Sequence, residues 1–201
     1  LARLPDAPAG TRGISLFLVP KLLVNSDGSL GDRNDVVCAG LEDKLGIHGS
    51  PTCVMNYGEK DGAVGYLVGE ENKGLATMFI MMNAARLAVG MQGVAIADRA
   101  TQRALAYAHE RRQGRGADGG PDPVAIVEHA DVRRMLLTMQ AMTQAARLIC
   151  LVTARETDIA RHADDADARS RAQARVALLT PVAKAYATDV GCEVASLGVQ
   201  V

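Results

Sequence analysis

The stretch LATMFIMMNAARLAVGMQGVAIADRATQRALAYAHERR, residues 75–112, decides the fold. It contains no proline, and Met78, Met82, Ala85, Val89, Val94, Ala97, Leu105 and Ala108 recur at helical spacing. That period predicts one helix of roughly 38 residues and about 57 Å, with those side chains on its buried face. Ala84, Ala88, Gly90 and Gly93 carry little or no side chain, so a neighbouring helix can come close there.

Working outward, Gly114 to Pro123 (GRGADGGPDP) breaks the pattern with glycine and proline. A second helix is expected from about Ala125 to Ala163, burying Met135, Leu136, Met139, Met142, Ala146, Ile149 and Val152. Asp164 to Asp167 reads as an acidic break, and a third helix runs from Arg169 to the end. Pro181 removes one backbone hydrogen bond there and is expected to kink it. Three long helices with short links pack antiparallel, as in an up-and-down bundle.

On the other side, glycine and proline punctuate residues 1–74. Gly13 to Pro20, Val36-Val37-Cys38, Thr52 to Tyr57 and Ala63 to Val68 carry the β-branched and aromatic character of strands. Asn25-Ser26-Asp27-Gly28 reads as a turn. The fold class is therefore α+β: a partial antiparallel β-domain over 1–74, followed by a long up-and-down helical bundle over 75–201. About 70 residues are few for a closed barrel. The chain does not start with Met and ends on the apolar pattern Leu197 to Val201, so it is expected to be a piece of a longer one.

Composition narrows the function. With 48% hydrophobic and 22% charged residues, wholesale disorder is excluded. A net charge of −1 leaves no basic excess to neutralise phosphates, which argues against nucleic acid as a partner. No uninterrupted apolar run reaches membrane-spanning length and no signal peptide is evident, so no membrane span is expected and a cytoplasmic location is. Cys38, Cys53, Cys150 and Cys192 show no C-x-x-C spacing, which favours a reducing compartment over a disulfide framework or zinc site. The four histidines are too dispersed for a metal site, and Gly114-Arg115-Gly116 follows a helix instead of preceding one, so it is no dinucleotide loop.

Two clusters could carry chemistry. Met78, Met81, Met82 and Met91 can line an acyl pocket, although their spacing fits plain helix core better. Glu110-Arg111-Arg112-Gln113 reads first as a solvated helix end, where cations complement the dipole. Its functional alternative is an anion clamp, because arginine presents a fork matched to phosphate oxygens.

Several stretches, in order, resemble the acyl-CoA dehydrogenases. Asp43 to Thr52 (DKLGIHGSPT) is similar to the K-x-G-x-x-x-S-x-T stretch of that family's middle β-domain. Val68 to Leu75 (VGEENKGL) resembles the entry into its C-terminal helical domain, and Met82-Asn83-Ala84-Ala85-Arg86 resembles that domain's first helix. Tyr107 to Gln113 (YAHERRQ) resembles the end of the same helix, and Gly198-Val199-Gln200-Val201 the pattern before a glycine-rich loop. The insertion between Pro20 and Gly40, with Asp131 to Leu136 and Arg175 to Pro181, resembles the branch that includes the methylmercaptopropionyl-CoA dehydrogenases.

The resemblance implies FAD-dependent α,β-dehydrogenation of an acyl-CoA thioester, in a homo-oligomer (dimer or tetramer) that passes electrons to an electron-transferring flavoprotein or similar acceptor. Arg111 and Gln113 match the pair that reaches FAD across the subunit interface, Arg111 to the pyrophosphate. Met82, Asn83 and Arg86 match positions lining the acyl-CoA cavity. The family's catalytic glutamate lies either after the stretch matching Gly198 to Val201 or just before the arginine matching Arg86. The latter position is Ala85, so the base is expected beyond Val201 and the 201-residue chain is expected to be inactive alone. Gly114 departs from the aromatic residue that often follows Gln113 in the family. Two other readings are a DNA-binding flavoprotein relative, which would need a basic surface, and an acyl-CoA oxidase.

Overall fold

The computed structural model describes residues 1–201, in two compact units, Leu1–Ile80 and Met81–Val201. The first unit holds strands β1 (Ala2–Arg3), β2 (Ile14–Leu18), β3 (Leu22–Val24), β4 (Leu30–Arg33), β5 (Val36–Leu41), β6 (Cys53–Tyr57) and β7 (Tyr66–Val68). They pair antiparallel as β1-β2-β7, β3-β4 and β5-β6. The expected turn closes β3 onto β4, with Gly28 at φ +84° and the Asn25 N–H bonded to the Ser29 carbonyl. Strand β4 (LGDR) was not expected, because a glycine and two charges give it little intrinsic strand preference.

Buried polar groups stitch these ribbons together. Asn34 donates to the Pro20 and Val64 carbonyls, both at 2.8 Å, and accepts from the Val64 N–H at 2.9 Å. Ser15, fully buried, accepts from the Asn72 N–H at 2.8 Å. This fixes the chain as it turns into α1 (Gly74–Glu110). A Cβ at Gly74 would lie 2.4 Å from the Ser15 carbonyl carbon, so only glycine fits where that helix begins.

In sequence order, α1 is followed by β8 (Arg112–Arg115), β9 (Pro123–Ala125), a short 3-10 turn (Ile126–Glu128), α2 (Ala130–His162) and α3 (Ala166–Gln200). The break expected over 114–123 is thus no plain loop but a β-hairpin, with Arg112 opposite Ala125 and Arg115 opposite Pro123. Gly114 and Gly119 supply its positive φ values, +71° and +74°, and Pro123 begins its strand, where a missing N–H is tolerated. Helix α2 starts five residues later than expected, because Ala125 to His129 is spent on the hairpin and 3-10 turn. The acidic break is shorter than expected. Asp165 is the N-cap of α3, its carboxylate accepting from the Asp167 and Ala168 N–H groups at 3.0 and 3.2 Å. Helix α3 continues through Pro181 without interruption.

The core of the second unit combines Val94, Ala97, Ala104 and Ala108 of α1 with Leu136, Met139, Ala146 and Cys150 of α2 and Ala183, Ala187, Val190 and Val194 of α3. Ala85, Val89 and Leu105, expected inside, are exposed, as is Val152. Val94, Ala97 and Ala108 are buried as expected, and Gly90, Gly93 and Ala104 complete the buried stripe of α1. Small residues define it because α1 and α3 approach to backbone contact: a Cβ on Gly93 would sit 2.2 Å from the Ala187 carbonyl oxygen. Hydrophobicity alone pointed to the bulkier neighbours, which face outward.

Helices α1 and α2 are long and apolar enough by composition to cross a membrane, each with an 18-residue window of mean hydropathy 1.4. The expectation of no spanning segment counted uninterrupted apolar residues. A window averages over Asn83, Arg86 or Arg147, which interrupt the runs.

Glu156 of α2 is 3% exposed. Its carboxylate accepts from Arg175 of α3 at 3.3 Å and from Arg155 at 3.5 Å, both mostly solvated. Removing the interhelical partner leaves a buried carboxylate with only the weaker one. Arg175→Leu should therefore destabilise the bundle by about 1–3 kcal/mol, whereas Glu156→Gln should cost less, since it strands no buried charge. Urea unfolding of the two variants checks the order; equal losses would refute it.

Candidate functional site

The residues singled out from sequence fall into two groups, one on α1 and one just past its C-terminal end. Near the start of the second unit, Met82 is half-buried and Asn83 exposed. The Arg86 Nη1 donates to Asn83 Oδ1 at 3.2 Å, an i, i+3 pair on one helical face. Between them stand Ala84 and Ala85, and no carboxylate occurs from Met78 to Val94. The next one along α1, Asp98, is held by Arg147 of α2 at 2.9 Å. This group can orient a polar ligand but has nothing to remove a proton. Of the methionine cluster, Met78 and Met82 are half-buried while Met81 and Met91 are exposed, so helix core does not describe it.

The second group sits where α1 hands over to the hairpin. The Arg111 N–H still bonds to the Tyr107 carbonyl at 2.8 Å in helical fashion, while its own carbonyl accepts from the Ile126 N–H at 2.8 Å. Its backbone is thereby fixed from both sides and its side chain is exposed. The Arg111 Nη2 donates to Gln113 Oε1 at 3.2 Å, and the guanidinium makes no ion pair, so its other N–H groups face solvent. That arrangement fits an anionic, phosphate-bearing ligand.

His129, which the sequence marked only as an ordinary histidine, belongs to this site. Its Nε2 lies 2.7 Å from the Gln113 carbonyl oxygen. A carbonyl only accepts, so Nε2 carries the proton and donates. The ring also fills the space beside Gly114: a Cβ there would meet it at 3.3 Å. The glycine that departs from the resemblance therefore answers to a left-handed backbone and a neighbouring imidazole, and Gln113 is positioned from α2 as well as α1. A signal existed in principle, since His129 directly precedes a helix, but its partner lies 16 residues away on a strand.

Beside the hairpin, an open pocket of about 700 Å³ is lined by Arg115, Glu128, His129, Arg133, Arg134 and Thr138, so one carboxylate stands among three arginines. Asp131 offsets part of this positive charge, bonding Arg134 at 2.8 Å; that hydrogen bond, and then the carboxylate's charge, raises the Arg134 pKa. Arg133 is pinned by its Nε to the Val127 carbonyl at 2.9 Å.

The structure does not bring the two groups together. Arg86 lies on α1 and Arg111 one residue past its C-terminal end, about 37 Å away along the axis at 1.5 Å per residue.

Residues 72–201 match the family model described as acyl-CoA dehydrogenase, C-terminal domain. Over its whole length the chain is 54% identical to the 3-methylmercaptopropionyl-CoA dehydrogenase of Ruegeria pomeroyi and 38% identical to a butyryl-CoA dehydrogenase of Syntrophomonas wolfei. It spans about a third of the length of each of these curated relatives, 34% in both cases. In fold it is similar to Caenorhabditis elegans ACDH-11, solved in complex with C11-CoA. The TM-score is 0.80 at 23% identity, covering 99% of this chain and 31% of that one.

Proposed function

The chain belongs to the acyl-CoA dehydrogenase family, and on that premise we propose that it serves a flavin-dependent enzyme that oxidises the α,β bond of an acyl-CoA thioester. Residues 1–74 supply part of the middle β-domain and residues 75–201 the C-terminal helical domain. FAD, when bound, would supply the acceptor for the β-hydrogen, which leaves as hydride. Arg111 holds the cofactor's pyrophosphate through its charged fork, and Gln113, fixed by His129, contacts the same cofactor. Met82, Asn83 and Arg86 line the acyl-CoA cavity, with Arg86 orienting the catalytic carboxylate. That carboxylate is supplied from outside these 201 residues.

The observation that carries this reading is the separation of the two pairs, one on α1 and the other past its end. Arg111–Gln113 and Asn83–Arg86 are too far apart to meet at one reacting carbon. In this reading each chain contributes acyl-CoA contacts to one site and flavin contacts to another, within a homo-oligomer (dimer or tetramer). Exposed Leu137, Leu148 and Leu151 on α2, with Leu178 and Val182 on α3, offer apolar surface for such contacts. An electron-transferring flavoprotein or similar acceptor, and a cytoplasmic location, complete the proposal. The Ruegeria relative makes 3-methylmercaptopropionyl-CoA the first thioester to assay.

Arg111→Ala in the holoenzyme tests it. Loss of a charge-assisted hydrogen bond costs roughly 1.5–3 kcal/mol, or about 10- to 100-fold in FAD affinity. Arg111→Lys keeps the charge without the fork and should fall between. FAD retained on dialysis by the alanine variant as well as by wild type would refute the assignment.

A further inference from the structure

The Cys38 and Cys53 thiols, 15 residues apart in sequence and belonging to no site described above, are neighbours across β5 and β6. The ladder pairs Cys38 with Met55, Gly40 with Val54 and Leu41 with Cys53. Cys38 faces Met55, and Cys53 lies two residues along from Met55, so both thiols emerge on the same face of the ribbon. Ala39 is the extra residue of a bulge, which bends β5 between these pairings. The Cys38 Sγ reaches the Gly40 carbonyl at 3.4 Å. Both are exposed and both are free.

Their surroundings divide the roles. Packing within the ribbon pushes the Cys53 pKa up, and the neighbouring Cys38 adds to this; Lys44 opposes them. Packing and the nearby Cys38 thus disfavour the Cys53 thiolate. Lys44 is itself anchored in the connecting loop by the Ile47 carbonyl at 3.0 Å and the Ser50 carbonyl.

We propose that Cys38 and Cys53 form a reversible dithiol–disulfide couple, oxidised by a peroxide. The Cys38 thiolate attacks one peroxide oxygen, the O–O bond breaks, and Cys38 becomes a sulfenic acid while the departing oxide takes a proton to leave as water or alcohol. The Cys53 sulfur then attacks the Cys38 sulfur. The S–S bond forms, the S–O bond breaks, and hydroxide leaves with the Cys53 proton as water. Two electrons pass from the sulfur pair to one peroxide, and a dithiol reductant reverses the reaction. The disulfide would tie the two ends of the Glu42 to Thr52 loop.

Peroxide treatment of the native protein, alkylation and tryptic mass mapping test this directly. Cleavage after Arg33, Lys44 and Lys60 puts Cys38 in peptide 34–44 and Cys53 in peptide 45–60. The expected product is these two peptides linked, two hydrogens lighter than their sum and separated again by dithiothreitol. Two of the four thiols in residues 1–201 should be lost together, with Cys192, also exposed, giving no intramolecular link. In Cys53→Ser, Cys38 should instead accumulate as a dimedone-trapped sulfenic acid. The proposal is overturned if the wild-type peptides stay unlinked while Cys192 reacts. Cys38 and Cys53 advancing separately to sulfinic acid would overturn it as well.

Discussion

Gly93→Ala should destabilise the helical unit by about 2 kcal/mol or more, against the helix propensity of the two residues. Alanine in a helix interior is favoured over glycine by up to about 1 kcal/mol, so propensity alone predicts a gain. Here the new Cβ would lie 2.2 Å from the Ala187 carbonyl oxygen and 2.7 Å from its carbon, both backbone atoms of α3. Neither can rotate away, so α1 and α3 must separate, opening contacts of Val94, Ala97, Val190 and Val194 in the same core. Overpacking of this kind costs about 1–3 kcal/mol or more and outweighs the propensity term. Gly198→Ala is the control: its Cβ would meet the flexible end of Met139 at 3.3 Å, which can move, so stability should be nearly unchanged. Chemical denaturation of both variants decides the matter. A Gly93→Ala protein as stable as wild type would mean that α1 and α3 do not pack as described.

Residues 1–201 alone, supplied with FAD and 3-methylmercaptopropionyl-CoA or butyryl-CoA, should give no turnover in a dye-coupled assay. Proton removal needs a carboxylate within about 3 Å of the α-carbon proton. The stretch around Asn83 and Arg86 has none, and Asp98 is committed to Arg147. The longer enzyme should be active, and changing its own catalytic glutamate to glutamine should lower the rate by about 10²-fold to 10⁴-fold. Ala85→Glu in that background should restore part of the rate, because position 85 is exposed and follows Asn83 and Ala84 on the turn that ends at Arg86. Partial recovery is the ceiling, since the introduced carboxylate must come within about 3 Å of the α-carbon proton from a backbone position not built for it. Measurable turnover by residues 1–201 would sink the proposal that the base is supplied from elsewhere.

Much of the architecture is legible in the chain because it is local. A helix needs only favourable residues repeated at i, i+3 and i+4, and α1 was expected over 75–112 and found over Gly74–Glu110. The Asn25 to Gly28 turn and the break at Asp164 to Asp167 are equally local, resting on residues that favour turns and caps. The candidate site was legible in part for the same reason. Arg111 and Gln113 are neighbours in sequence, as are Asn83 and Arg86, and each pair does share a hydrogen bond.

What only the tertiary structure decided depends on which element comes to lie against which. The sequence marked Gly90 and Gly93 as places of close approach, but that α3 is the helix that meets them, at Ala183 and Ala187, follows only from the packing. The segment after Gln113 became a hairpin because Pro123 to Ala125 returned to pair with Arg112 to Arg115, and its Arg112–Ala125 pairing reaches beyond 114–123 at both ends. His129 joined Gln113, Glu156 met Arg175, and Cys38 met Cys53 for the same reason. Periodicity fixes a residue's angle around its own element, whereas its partner is set by the packing of distant elements. In this chain the helices and the family were therefore written in the sequence, while the contacts that position its candidate chemistry arose only on folding.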